Sequence, residues 1–353
     1  MKALRIAVVG AGAIGATHAE TITATPGIVL AGIVDPFTAG ETLAARYGTA
    51  RYRDIGELIG SGGVDAAIIA TPNELHVPMA LELIAAGIPI LIEKPLATSL
   101  SEAMELVTAA EDAGVPVLVG HHRRHHPVVR RAKEIVDSGG LGRIVAVSAT
   151  YFLSKPDDYY DVAWRRSAGS GGVFLINLIH EIDMLRHLIG EITSVSAVAS
   201  SAVRGLDVED TGALTFTFDG GALGSLIISD TAAGPWSWDL TAGDSPRFPA
   251  HNVDSHRIGG TEASLTIPTL EVWRHQGERT WTTPMIPVRE SRGSSNPYAG
   301  QLRHFSDVIN GIAEPLVSAR EGAANLAVMD AVTAAVETGR AAGVRFAPGT
   351  DSR

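Results

Sequence analysis

The chain has 353 residues, a formal net charge of −11, and 45% hydrophobic against 19% charged residues, the balance of a soluble globular protein large enough for two domains. So acidic a chain offers no basic face for sequence-independent binding to nucleic acid or to an anionic membrane. It contains no cysteine, which excludes disulfides, thiolate nucleophiles and thiolate metal sites and fits a reducing compartment.

In chain order, "RIAVVG" (5–10) predicts a strand and "IGATHAETITAT" (14–25) a helix; "VLAGIVD" (29–35) and "ETLAARYG" (41–48) repeat the pair. "DAAIIATP" (65–72), "HVPMALELIAAG" (76–87) and "IPILIEKP" (88–95) continue it as strand, helix and strand. "SLSEAMELVTAAEDAG" (99–114) opens with a Ser99-x-x-Glu102 capping signal, and "PVLVGHH" (116–122) is the next strand. Strict alternation of β and α predicts a parallel sheet covered by helices on both faces. Although residues 1–19 have the basic start and apolar run of a signal peptide, their glycines sit at meaningful spacings, so this segment reads as mature structure. With no other run of about 18 apolar residues, the chain is expected to be cytoplasmic and without a membrane partner.

After one more helix (127–142) the rhythm changes. Strands follow in succession at 143–153, 192–203, 212–230, 263–269 and 270–275, with "FDGG" as a hairpin turn; one helix, 172–190, interrupts them, and helices return from 298 to 341. The expected fold is therefore an α/β N-terminal dinucleotide-binding domain of the Rossmann type, residues 1–122. A C-terminal α+β domain on an open, mostly antiparallel sheet, residues 123–353, follows it.

Between the first strand and helix, Gly10, Gly12 and Gly15 stand as G-x-G-x-x-G. The first glycine allows a tight turn, the second lets backbone approach a pyrophosphate, and the third lets the helix pack closely. Gly10, Gly12, Ala13, Ile14 and Gly15 are thus expected to meet the pyrophosphate. Asp35, 20 residues past Gly15 and followed by Pro36, would accept the adenosine ribose hydroxyls and repel a 2′-phosphate. With no arginine expected at hand to receive that phosphate, NAD is favoured over NADP. Thr71, Pro72, Asn73 and His76 leave the third predicted strand at its carboxyl end, where ligands bind in open α/β sheets; Asn73 and His76 could equally cap the next helix. Glu93 and Lys94 follow a buried run and precede Pro95, which holds the lysine extended at the strand's end.

Two further stretches carry candidate chemistry. As a helix, "GVFLINLIHEIDML" places Asn177, His180 and Asp183 on one stripe at steps of three. In "GHHRRHH" (120–126) consecutive histidines on a strand end would point to opposite faces with no nearby acid, so no metal site is expected. "KPDDYYDVAWRRSAGSGG" offers flat aromatic faces and charged groups suited to a sugar, with Trp164 and Arg165 the best candidates.

"VVGAGAIG", "TPNELH", "EKPLATSLSEAMEL" and "SGGVFLINLIHEIDML", in this order and at these separations, resemble the Gfo/Idh/MocA oxidoreductases. The similarity runs from residue 1 to about 190 and resumes at "QLRHFSDVINGIAEPLVSAREG". The resemblance implies that Lys94 lies between nicotinamide and a substrate hydroxyl, that His180 shares the proton handling, and that His122 and Arg123 border the cleft. The family's usual acid four residues before this histidine is Ile176 here; the polar residue is Asn177. The implied activity is NAD-dependent oxidation of a secondary alcohol on a sugar, inositol or related polyol by a homodimer or homotetramer. Redox-neutral glycoside cleavage and a non-catalytic sensor are the alternatives.

Overall fold

The computed structural model describes residues 3–245 and 247–346. They divide into two compact units: the chain up to His122 together with Pro297–Leu326, and Arg123–Asn296 together with the stretch from Ala327.

In the first unit β1 (Leu4–Val9), α1 (Ala13–Ala24), β2 (Ile28–Val34), α2 (Thr38–Tyr47), β3 (Ala50–Tyr52), α3 (Ile55–Gly60), β4 (Ala66–Ile69), α4 (His76–Ala85), β5 (Ile90–Ile92), α5 (Leu100–Ala113) and β6 (Val117–Val119) alternate as expected. The strands form one parallel sheet in the order β3-β2-β1-β4-β5-β6. Strand order reverses between β1 and β4, and a ligand crevice opens at the carboxyl ends beside such a reversal. The predicted cap is present: Ser99 Oγ accepts the Glu102 N–H at 3.2 Å, and Gly114 ends α5 in the left-handed region at φ 62°.

The second unit comprises α6 (Pro127–Asp137), β7 (Ile144–Phe152), α7 (Ile179–Ile189), β8 (Ile192–Ser200), β9 (Thr211–Phe218), β10 (Leu223–Ser229), α8 (Trp238–Thr241), β11 (His256–Gly260), β12 (Ala263–Ile267), β13 (Glu271–His275) and β14 (Met285–Arg289). With the short β15 (Ala342–Gly343) they build a sheet ordered β14-β13-β12-β11-β7-β10-β9-β8-β15. Its pairings are antiparallel except β7 with β10. Burial alternates along β9, so Leu214, Phe216 and Phe218 enter the core while Ala213, Thr215 and Thr217 face outward.

The last helices return. α9 (Pro297–Ile309) supplies Leu302, Phe305 and Val308 to the core formed by Ile6, Ile22, Ile33 and Ile68. α10 (Ala319–Thr338) starts in the same unit, where a Cβ on Gly322 would lie 2.8 Å from Val119 Cγ2. Assigning all of 123–353 to the second domain therefore needs correction, because 297–326 packs as part of the first unit. β3, α3, β11 and β14 were not expected. The helix predicted over 172–190 is present from 172 to 189, with a π-helical segment, Phe174–Leu178, inside it leading into α7. No helix among the described residues is long and apolar enough to cross a membrane.

Candidate active site

The glycine turn of the first unit is built as the spacing requires. Gly10 sits at φ 98° and donates its N–H to Val34 O at 2.8 Å; a Cβ there would lie 2.5 Å from Ala70 O. A Cβ on Gly15 would overlap Gly10 O, whereas one on Gly12 would meet nothing within 4 Å. Two glycines thus close the turn and the third leaves open space over the start of α1, whose N-cap has no side-chain hydrogen bond. Ala13 and Ile14 are exposed there. Helix-start amides facing open space fit a pyrophosphate.

Asp35 reaches back to this turn, its Oδ2 accepting the Ala11 N–H at 2.9 Å and its Oδ1 the Phe37 N–H at 2.8 Å. Each oxygen keeps a lone pair for a ribose hydroxyl. Pro36 is exposed beside it. The expectation of no arginine at hand is corrected. Arg51, carried on β3 against β2, donates Nε to Asp35 O at 3.2 Å and Nη2 to Pro36 O at 2.8 Å, and pairs through Nη1 with Glu41 at 3.0 Å.

Thr71 and Pro72 lie at the end of β4, with Asn73 opening a short 3-10 turn, Asn73–Leu75. α4 has no side-chain cap, so the capping alternative for Asn73 and His76 does not hold. Nor does His76 fit as a cofactor contact. It is fully buried, with Nδ1 2.8 Å from Pro95 O and Nε2 3.0 Å from Thr71 O, and burial pushes its pKa down. It braces the loop after β4 against the loop that carries Lys94.

Lys94 is half-buried immediately after β5. Beneath it the buried Glu93 pairs with His18 on α1, Nε2 to Oε1 at 2.8 Å, and a Cβ on Gly120 would lie 2.9 Å from the Glu93 carboxyl. Burial alone would raise the Glu93 pKa; His18, with His122 and Lys94, holds it below the ordinary range. Glu93 is therefore a buried anion that positions its neighbours. The His122 ring stacks on Tyr298 of α9 at 4.5 Å, and the Tyr298 ring meets His18 edge-on at 5.6 Å.

In the second unit a chain of polar groups runs through the core. Lys155 Nζ donates to Asn177 Oδ1 at 2.7 Å, Asn177 Nδ2 donates to Tyr151 Oη at 2.7 Å, and Tyr151 donates to Asp239 at 2.8 Å. Burial, then Asp239, pushes the Tyr151 phenol well above its ordinary pKa, so it stays a donor. His180 is buried on α7. Asp183 does not serve a reactive stripe, because it is tied to Arg124 at 2.8 Å in a buried pair. The π-helical segment also breaks the assumed steps of three between Asn177 and His180. Arg123, expected to border the cleft, is 3% exposed, bound to Glu181 at 2.5 Å and to Asp239 at 3.4 Å. Although burial opposes it, Arg123 and then His256 draw the Glu181 carboxyl down to about 2. Arg165 lies over Tyr159 at 4.1 Å beside the exposed Trp164. His122–His125 forms a 3-10 turn rather than a strand end.

Sequence reasoning missed His18, Tyr298, Tyr151 and Lys155. Lys155 carried a legible signal, because Lys155–Pro156 after β7 repeats the arrangement of Lys94–Pro95 after β5.

A glycine turn, a ribose-side carboxylate and a strand-end lysine on a parallel sheet, with a second mixed-sheet unit, define a dinucleotide-dependent oxidoreductase. The family description "oxidoreductase family, NAD-binding Rossmann fold" matches residues 4–121, and the "GFO/IDH/MocA C-terminal domain" matches residues 129–266. The chain is 31% identical over 350 residues, 95% of each chain, to scyllo-inositol 2-dehydrogenase (NAD(+)) of Bacillus subtilis. It is 28% identical over 329 residues to 1,5-anhydro-D-fructose reductase of Ensifer adhaerens, covering 91% of this chain and 92% of that one. The WlbA dehydrogenase from Bordetella pertussis, solved in complex with NADH and UDP-GlcNAcA, superposes with a TM-score of 0.80 at 25% identity, over 98% of this chain and 99% of that one. The chain belongs to the Gfo/Idh/MocA oxidoreductase family, and its first unit is the family's NAD-binding Rossmann domain.

Proposed function

We propose that the protein oxidises a secondary alcohol of a sugar, inositol or related polyol, with Lys94 and His180 handling the hydroxyl proton. The observation that carries this reading is the Glu93 clasp: a buried carboxylate, paired with His18, fixes the strand-end loop from which Lys94 projects. NAD, when bound, supplies the hydride acceptor. The backbone at Gly12, Ala13 and Ile14 would hold the pyrophosphate and Asp35 the ribose. Lys94 orients the hydroxyl, and His180 takes its proton as general base. Lys155 and Tyr151 fix both ends of the Asn177 amide, so Asn177 serves to position groups rather than to accept a proton. Names among the relatives support a polyol substrate: scyllo-inositol and inositol 2-dehydrogenases and levoglucosan dehydrogenase.

The second unit, in this reading, binds substrate and mediates self-association. Val198, Ala213 and Ile227 are cross-strand neighbours on the outward sheet face, Val198 being 65% and Ile227 49% exposed. A groove of about 820 Å³ lined by Ser148, Ser225, Arg257, Trp273 and Met285 continues that face. Apolar exposure on this scale favours a homodimer or homotetramer.

The test is a screen of sugars and inositols with NAD and NADP, following the absorbance of the reduced nicotinamide. Net NADH formation supports the reading. Glycoside cleavage without net NADH, or cofactor binding with no turnover of any member, refutes it.

A further inference from the structure

The second unit holds a cavity of about 400 Å³ at the ends of β7 and β10, lined in part by Ser154, Lys155, Tyr160, Arg204 and Thr231, with Asp157 at its rim. Its two cations are held in place from behind. Asp230, fully buried, accepts Arg204 Nε at 3.0 Å, lies 3.6 Å from Lys155 Nζ, and accepts the Tyr160 hydroxyl. Arg204 Nη2 donates to the backbone carbonyls of Lys155 and Asp230, each at 2.8 Å, and the guanidinium lies over the Tyr160 ring at 4.5 Å. Asp210, also buried, accepts the Val203 and Arg204 amides at 3.0 Å. Both buried carboxylates are thus engaged in the wall, and neither lines the cavity.

Arg204 itself lines the cavity, and the guanidinium nitrogen not bound to those acceptors is Nη1. It lies 3.4 Å from Asp157, a carboxylate whose side chain is fully exposed. Such a pair is worth little in water, yet its geometry marks a seat for a carboxylate against a guanidinium whose other nitrogens are pinned. Lys155, 8% exposed, joins the cavity to Asn177 through its ammonium.

We infer that this cavity reads a carboxylate on the substrate, so that the preferred substrate is a sugar acid rather than a neutral polyol, with Arg204 and Lys155 as its recognition cations. The inference rests on the dehydrogenase reading and narrows its substrate class. An entering carboxylate replaces Asp157 at Nη1 and gains a charge-assisted bond that a neutral sugar lacks.

The test uses the full chain with NADH bound, and D-glucuronate and D-galacturonate against D-glucose and D-galactose, reading Kd from thermal shifts. The acids should bind at least about 10-fold tighter than their neutral counterparts, the scale of one hydrogen bond to a charged group, and lose that margin as salt rises. Arg204→Gln should abolish the margin while the NADH-induced shift persists. Asp157→Asn, at a fully exposed site, should tighten acid binding by up to about fivefold. Equal binding of acids and neutral sugars, or a margin that neither substitution moves, overturns the inference. Oxidation of neutral members alone overturns it while leaving the dehydrogenase reading intact; acids that bind with the expected margin while no sugar, acidic or neutral, is oxidised by NAD overturn the dehydrogenase reading and leave the cavity's carboxylate recognition standing.

Discussion

Replacing Asp35 by serine tests how this chain chooses between NAD and NADP. The carboxylate already accepts two backbone amides, at 2.9 and 2.8 Å, and its remaining lone pairs are the ones offered to a ribose. Losing a charged hydrogen-bonding site costs about 1.5–3 kcal/mol, so NADH should bind roughly 10- to 100-fold more weakly. NADPH should gain, because the charge that repels a 2′-phosphate is gone. The second step concerns Arg51. Its Nε and Nη2 are held by the carbonyls of Asp35 and Pro36, which survive the substitution, while Nη1 is engaged by Glu41, whose side chain is 61% exposed. Breaking so exposed a pair costs about 0–1 kcal/mol. Asp35→Ser with Glu41→Gln should therefore leave the fold intact and release Nη1 for the phosphate, improving NADPH affinity about 10-fold beyond the single variant. Quenching of protein fluorescence by NADH and NADPH reads both constants without turnover. If adding Arg51→Ala to the double variant leaves NADPH affinity unchanged, Arg51 is not the reader and the reasoning fails.

Lys94→Ala and His180→Ala should each lower kcat by at least about 100-fold with NADH binding unchanged, and the double variant should be scarcely worse than either; near-wild-type turnover of His180→Ala would move the base elsewhere. Burial, with Arg292 and then Arg123, pushes the His126 imidazole from 6.5 down to about 4. A base that protonates later folded than unfolded adds stability present above pH 6.5 and lost as pH falls toward 4, at most about 3 kcal/mol. His126→Asn keeps a side-chain acceptor for the Val128 N–H and should flatten melting temperature against pH in that window; an unchanged slope counts against it. Ile227→Lys, on the outward sheet face, should convert an oligomer to monomer in sedimentation without lowering the melting temperature by more than a few degrees; an unaltered oligomer would place the interface elsewhere.

Local pattern made the parallel sheet, the glycine turn, Asp35 and the Lys94 loop legible, because each depends on residues close in sequence. β3 is three residues long with an arginine at its centre, too short and polar for periodicity to register. β11 ends in Gly259 and Gly260 and reads as a loop; it is a strand because β7 and β12 flank it. Arg51 stands 16 residues from Asp35, and only the parallel pairing of β2 with β3 brings them together. The π-helical turn at Phe174–Leu178 carries no compositional mark, so the spacing of Asn177 and His180 was misread as regular. Tyr298 belongs to a helix that the chain order assigns to the second domain and the packing assigns to the first.

That returning helix has a consequence for synthesis. A ribosome that has just released His122 has delivered all six strands of the dinucleotide-binding sheet but not Leu302, Phe305 and Val308. Those side chains emerge only after the 174 residues from Arg123 to Asn296. At about 5–20 residues per second the wait is roughly 10–35 s. For that interval Ile6, Ile22 and Ile33 lack part of their packing, and the nascent half-domain presents apolar surface of the kind chaperones hold. The unit begun first is closed only after most of the second has been made, so a chain stopped anywhere before Pro297 should fail to retain NAD even though every glycine and Asp35 are already in place.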